Sequence, residues 1–364
     1  GWHTIHCVDS TDLDMVGDEE IEALVGGATN TTSFRIDIER VGVTGVSNDV
    51  TVTAIGNGGL VNTSHSGPVA FMSPGGSANF RLNPFGGFVN GTAMISNQVA
   101  FMGAGDRVLR VELQSDSNVC GEASMFVAGG GAIYFVSERF GDDTNNGLSK
   151  ATAWKTFGKA VTAVIPKDVV VFEPGKYMEN VVMQQSGNPA QPIAFLADDG
   201  GRFFGREGGV RIDPGAGNGI DFNGKDYIAL YGFEILPPSP SVANGIVAIG
   251  STGLRLYENE ISDMGTGIAL DATPNAVLWG NSVEKCSLNG IDALTTADNM
   301  LMQKNSVREC GGRGIQVSVT STNISVLGNV VEACTNGGFY LSGRAEAFHF
   351  NHFFSNGVFG AKLE

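Results

Sequence analysis

The sequence predicts an all-β protein in two parts, an antiparallel β-sandwich followed by a solenoid of stacked three-strand coils. Three observations predict it. Asparagine recurs at Asn259, Asn281, Asn305, Asn329 and Asn351, at spacings of 22, 24, 24 and 22 residues. Within each period the apolar residues alternate in three short runs, which leaves no room for a helix. Upstream of residue 130 alternating runs also occur, divided by Gly, Asn, Ser and Pro, but they do not repeat.

Composition narrows the classes. A chain of 364 residues exceeds one ordinary core, so it holds two domains unless part of it grows in one dimension as a solenoid does. Glycine is 52 of 364 without a collagen period, and charged residues are only 16%, which argues against disorder and against a coiled coil. No apolar run reaches the ~18 residues that span a bilayer, so membrane insertion is not expected. The net charge of −16 disfavours nucleic acid and anionic membrane surfaces as partners. Residues 1–130 contain no lysine, five arginines and 14 acidic residues, and the first lysine is Lys150. This shift places a join near Gly129, Gly130 and Gly131. The expected organisation is a tail with a short helix over 1–30, a sandwich over 31–130 and the solenoid over 131–364.

In the tail, Asp18 caps a short helix that carries acids in its first turn and ends at Gly26. Residues 34–38, 50–54 and 108–113 alternate apolar and polar, and about 100 residues of such strands suggest an immunoglobulin-like sandwich. Cys7 and Cys120 are candidates for a disulfide between the tail and the last sandwich strand, a pairing suited to an oxidising compartment. Residues 153–165 put Trp154, Phe157, Val161 and Val164 on one helical face, and Pro166 stops that helix. It is expected to plug the open end of the solenoid.

The periodic region carries further in-phase positions. Two residues after each asparagine comes Ile261, Val283, Val307, Val331 or Phe353; five after come Met264, Cys286, Cys310 and Cys334. A glycine with an apolar follower comes next: Gly267-Ile268, Gly290-Ile291, Gly314-Ile315 and Gly338-Phe339. Gly219-Ile220 and Gly245-Ile246 are earlier copies, and Gly357-Val358 is the last. A single coil cannot bury its own inward face. Stacking coils at ~4.8 Å makes a continuous core and pairs each strand with its equivalents above and below. Aligned asparagines then form a hydrogen-bonded ladder. The three cysteines become an inward stack of small hydrophobes; with no Cys-x-x-Cys pair they do not read as a metal site. No plug follows Gly357, so a continuing chain or a partner is expected over that end.

These features resemble the right-handed parallel β-helix proteins of the pectate-lyase-like superfamily, as in secreted polysaccharide lyases and phage tail spikes. The resemblance extends over residues 133–182. There Tyr134-Phe135-Val136-Ser137, Gly141-Asp142-Asp143-Thr144-Asn145-Asn146-Gly147 and Gly175-Lys176-Tyr177 look like that group's opening segment. It implies an asparagine ladder at the tight turn between second and third strands and a groove over the first strand. It also implies a location that is extracellular, on a cell surface or on a virion.

On the first strand of each coil the outward positions are expected to be Asp221, Val247, Ala269, Asp292, Gln316, Tyr340 and Phe359, with Asp271 as a second outward residue in its coil. Asp271 and Asp292 sit on adjacent coils two residues out of step, roughly 8 Å apart. Inverting glycosidases hold their carboxyl groups ~6.5–9.5 Å apart, so the two aspartates are the candidate catalytic pair. Gln316 and Tyr340 extend the wall as substrate-binding candidates. Lyase chemistry instead needs a base beside a uronate carboxylate and a cation for the enediolate. The resembled enzymes use Lys and Arg for this, often with Ca²⁺. No outward first-strand position is basic by this reckoning; Lys285 and Arg313, in the turns before that strand, and Tyr340 are the nearest groups. Asp142, Asp143 and Asn145 offer oxygens for Ca²⁺.

Outward on the second strand lie Tyr257, Val277, Trp279, Leu301 and Leu327. Such a stripe marks an interface, to be covered by the sandwich, by a neighbouring chain in a homotrimer, by another structural protein, or by a glycan stacking on Tyr257 and Trp279. On the third strand Glu284, Arg308 and Glu332 form an alternating charge ladder. Two readings of function follow. In one, a β-helix protein binds polysaccharide and cleaves it as a lyase or a glycoside hydrolase. In the other, a non-catalytic structural or adhesive subunit of a tail spike or surface filament assembles through its apolar second-strand face.

Overall fold

The computed structural model describes residues 30–73, 87–317, 321–342 and 345–363. The helix expected over residues 18–26 and the Cys7 end of the expected disulfide lie outside them. Two compact units divide the chain, residues 1–130 and 131–364.

Among its described residues the first unit has seven strands: β1 (Thr31–Ile38), β2 (Val41–Val43), β3 (Ser47–Gly56), β4 (Val69–Met72), β5 (Thr92–Ala100), β6 (Gly105–Leu113) and β7 (Asp116–Ala128). They form two sheets, β1-β3-β5 and β2-β7-β6-β4. Alternation puts Phe34, Ile36, Val50 and Val52 of one sheet against Leu109, Val111, Ala123 and Met125 of the other in a single core. Pairing is antiparallel throughout except that β2 runs parallel to β7. The chain thus pairs first with β3 and then crosses to β7, which makes the sandwich immunoglobulin-like.

The second unit is a parallel β-helix. Three parallel sheets run along it, one strand per coil from each. The first solenoid sheet contains Ile246–Ile249, Ile268–Asp271, Ile291–Ala293, Arg313–Val317, Gly337–Leu341 and Ala361–Leu363; the second contains Arg255–Tyr257, Val277–Trp279 and Leu301–Gln303; the third contains Ser282–Glu284, Ser306–Arg308 and Val330–Glu332. The asparagines stack as expected. Each donates both its backbone N–H and its Nδ2 to the Oδ1 of the next, from Asn259 through Asn281, Asn305 and Asn329 to Asn351, at 2.9–3.1 Å. Just before them Gly280, Lys304 and Gly328 have left-handed φ of 67°, 55° and 59°. The chain therefore turns sharply between the second and third sheets in every coil.

The repeated glycine has a steric cause. A Cβ on Gly267, Gly290 or Gly314 would lie 2.1–2.2 Å from Cγ1 of Val283, Val307 or Val331 in the next coil. The glycine and the valine two residues after the asparagine are thus one packing device. Cys286, Cys310 and Cys334 are buried in the core as free thiols.

The plug is shorter than expected. Helix α1 spans Phe157–Ala163, and the Thr156 side chain caps it by accepting from the Lys159 N–H. Phe157 enters the core against Phe172 and Phe195, with ring centroids 4.3 and 5.3 Å away. Trp154 is not helical; it stacks on Tyr134 at 4.4 Å. Asp143 sets the boundary, because its carboxylate accepts from the N–H groups of Lys155 and Thr156 and holds them extended.

Candidate functional site

The parallel register fixes what the first solenoid sheet presents outward. Asp221, Val247, Ala269, Asp292, Gln316, Tyr340 and Lys362 form one row across successive coils. Lys362 takes the place expected for Phe359. Gly360, not Gly357, is the glycine of the last coil, since Phe339 pairs with Ala361. The signal was present in the sequence: Gly290, Gly314, Gly338 and Gly360 each lie nine residues after their asparagine. The row therefore does include a base. Phe359 sits beside it, with its ring 6.5 Å from Tyr340.

Asp271 belongs to a parallel row. It pairs with Ile249, while Asp292 pairs with Ala269, two residues earlier on the Asp271 strand. One rung plus two residues of offset gives about 8 Å between the two Cα atoms. Asp271 accepts a hydrogen bond from the Thr295 hydroxyl. Asp292 accepts from Asn289 Nδ2 at 3.0 Å through Oδ2. Its Oδ1 is buried and has no hydrogen-bond partner among the described residues. Burial pushes the Asp292 carboxyl above the usual carboxylate range; the Asn289 amide and the Arg313 charge pull the other way. The two carboxyl groups thus occupy different environments.

Asn289 is itself held: its Oδ1 accepts the Arg313 backbone N–H at 2.9 Å. That leaves its Nδ2 turned to Asp292. Arg313 lies over the Tyr340 ring, 3.9 Å from the centroid, and its Nη1 donates to Gln316 Oε1 at 2.7 Å. Lys362 Nζ is 5.9 Å from the same ring. Asp292, Arg313, Gln316 and Tyr340 are therefore brought together.

Other candidates are not brought there. Lys285 belongs to the turn after Ser282–Glu284 and pairs with Glu284 at 3.2 Å. Tyr257 and Trp279 lie on the second solenoid sheet, a different face, and Tyr257 is only 7% exposed. The stripe there is also less apolar than expected. Arg255 and Ser325 share a row with Val277 and Leu301, and Gln303 stands between Trp279 and Leu327. The Ca²⁺ candidates serve the chain itself. Asp142 accepts from the Thr144 N–H and hydroxyl, Asp143 binds the Lys155–Thr156 turn through both oxygens, and Asn145 donates to Ala153 O. Among the described residues no group of three or more His, Cys, Asp or Glu could hold a metal ion, and no helix is long and apolar enough to cross a membrane.

Residues 210–363 match the family model described as the right handed beta helix region, and the solenoid is a right-handed parallel β-helix, as the sequence resemblance implied. No curated protein sequence matches the chain. Among solved structures it is similar to a rhamnogalacturonan lyase, at 12% identity and TM-score 0.48 over 64% of this chain and 63% of that one. It is also similar to the GH136 lacto-N-biosidase from Eubacterium ramulus, at 15% identity and TM-score 0.45 over 60% of this chain and 51% of that one. A pectate lyase is similar at 15% identity and TM-score 0.34 over 65% of this chain and 74% of its own. The chain thus spans less than two thirds of the first two.

Proposed function

We propose that the outward face of the first solenoid sheet binds polysaccharide outside the cell and hydrolyses it with inversion. Asp292 is the general acid and Asp271 the general base. The observation that carries this reading is the unequal environment of two carboxyl groups whose Cα atoms lie about 8 Å apart. Asp292, desolvated and with one oxygen unpartnered, keeps its proton to higher pH and can give it to a leaving glycosidic oxygen. Asp271, beside the Thr295 hydroxyl, is placed to take a proton from water on the other face of the sugar. Gln316 and Tyr340 supply hydrogen bonds and a ring face to the neighbouring unit.

The test is incubation of the protein with a glycan panel, scoring reducing ends, product absorbance and anomeric configuration. Expected are reducing ends with inverted anomers and no unsaturated product, abolished in Asp292→Asn and in Asp271→Asn without loss of melting temperature. An unsaturated product would replace hydrolysis by elimination, and full activity in either variant would remove the pair from the chemistry.

A further inference from the structure

One end of the sandwich gathers a hydroxyl, an imidazole and a carboxamide. After β3 the chain folds back on itself: the Gly56 N–H donates to Leu60 O and the Asn62 N–H to Ala54 O, both at 2.8 Å. Thr31, the first residue of β1, pairs with Gly56 at that end of the sheet. The returning segment therefore lays Asn62 beside Thr31. A turn follows, closed by the His65 N–H on Asn62 O at 3.1 Å, and it brings Ser64 and His65 to the same place.

The side chains then meet in a fixed order. Asn62 Nδ2 donates to Thr31 Oγ1 at 2.9 Å, and Thr31 Oγ1 lies 2.8 Å from His65 Nδ1. Because that oxygen already receives the amide, its own proton is the one shared with Nδ1. Ser64 donates twice to Asn62 Oδ1, from its N–H at 3.2 Å and from its hydroxyl at 2.8 Å. Asn62 is only 3% exposed, and the Phe34 and Phe88 rings stand 5.4 and 4.5 Å from the His65 ring. Burial there pushes the His65 pKa below its ordinary value, with the Gly67 backbone pulling the other way, so the imidazole is neutral at neutral pH and free to take a proton. An asparagine that only held a turn would need Ser64 and nothing more. Here a hydroxyl faces a base, and the neighbouring carbonyl oxygen carries two donors in a place with little water.

We propose that Thr31 and Asn62 join as an intramolecular ester, a covalent staple between the start of β1 and the segment after β3. A turn of the Asn62 carboxamide about its Cβ–Cγ bond brings its carbonyl carbon under the hydroxyl. Thr31 Oγ1 bonds to Asn62 Cγ as its proton passes to His65 Nδ1, and the negative charge formed on Oδ1 meets the two Ser64 donors. The Cγ–Nδ2 bond then breaks, its electron pair leaves on nitrogen, and His65 returns the proton, so that ammonia departs. The products are the ester and ammonia, with no change of oxidation state. Ammonia is protonated in bulk water, which draws the exchange forward.

The test is the intact mass of the purified full chain under denaturing conditions. Expected is a mass below that of the sequence by one ammonia, with tryptic peptides 1–35 and 41–81 running as one joined species. Hydroxylamine, which cleaves esters, should part them. Thr31→Val should restore the sequence mass. His65→Phe keeps the ring packing and should leave the peptides largely separate on purification, since loss of a general base slows such a step by about a hundred-fold or more. Circular dichroism checks the fold of each variant, and the joined peptides of the parent decide the matter without them. The full sequence mass in the parent overturns the proposal. So does a loss of ammonia that leaves the two peptides separate or persists in Thr31→Val, which is closure of Asn62 on its own backbone. Joining that is as complete in His65→Phe as in the parent overturns the assignment of the base.

Discussion

Replacing Asn305 by alanine removes one rung of the buried ladder, and the structure says what that costs. Oδ1 of Asn305 accepts from Asn281 N at 3.0 Å and from Asn281 Nδ2 at 2.9 Å. Its Nδ2 donates to Leu278 O and to Asn329 Oδ1, both at 2.9 Å. After truncation Asn329 Oδ1 still receives the N–H of residue 305. The Asn281 N–H, one Asn281 amide hydrogen and the Leu278 carbonyl do not find replacements, and Asn281 and Leu278 are fully buried. An orphaned buried group costs ~1–3 kcal/mol, and carbonyls tolerate it best, so the sum is about 3–5 kcal/mol. The same change at Asn351 strikes the last rung, where the asparagine is only partly buried and water can enter, so it should cost less. Denaturant titrations followed by circular dichroism give the comparison. Midpoints should be read with the slope, because solenoids can unfold in parts. A loss below about 1 kcal/mol for Asn305→Ala, or a larger loss at Asn351, would refute the view that the ladder holds the coils in register.

Three further outcomes follow from the same geometry. Burial raises the Asp292 pKa above its unfolded value, so the native chain holds more protons than the unfolded chain between the two, and stability falls as pH rises through that window. Asp292→Asn should therefore melt higher than the parent at neutral pH and equally in strong acid; an offset that does not change with pH would contradict this. The Cys310 thiol is pushed up to about 12 by its hydrogen bond with Cys286 and by burial, and should react with a thiol reagent only on unfolding, whereas rapid labelling of the native protein would show the stack to be open. Phe157→Ala withdraws the ring that closes the core and should cost about 3–5 kcal/mol, measured as a lower denaturation midpoint; an unchanged midpoint would show that α1 does not plug the solenoid.

The solenoid was legible because stacking demands like residues at like positions. Asn281, Asn305 and Asn329 must match to bond one another, and Gly290 and Gly314 must be glycine because Val307 and Val331 press on them. Both constraints write a period into the sequence. Outward residues obey no such constraint, and the reading weakened there. Gly357 stands three residues before Gly360, the glycine that precedes the last first-sheet strand, and so points to Phe359 where Lys362 stands. Lys285 and Arg313 looked equivalent as turn residues. Only the structure shows one bound to Glu284 on the third sheet's side and the other folded over Tyr340. The length of α1 was overestimated because apolar spacing registered Trp154 but not the grip of the Asp143 carboxylate on the following turn.

That same division between constrained and unconstrained positions bears on function. Along the third sheet Arg308 and Glu332 alternate on the surface at 3.7 Å, an arrangement worth little and open to exchange. Asp292 differs from them in kind. It is outward by register, yet half-buried, with an oxygen that has lost water and gained no donor. Such a group subtracts from stability, and an asparagine or a serine there would relieve the cost without disturbing the core. The neighbours relieve it only in part: Asn289 donates to Oδ2 alone, and Arg313, whose charge favours the carboxylate, is turned to Gln316 and Tyr340. The solenoid satisfies its ladder asparagines fully and leaves the Asp292 carboxyl, the proposed general acid, short of a partner.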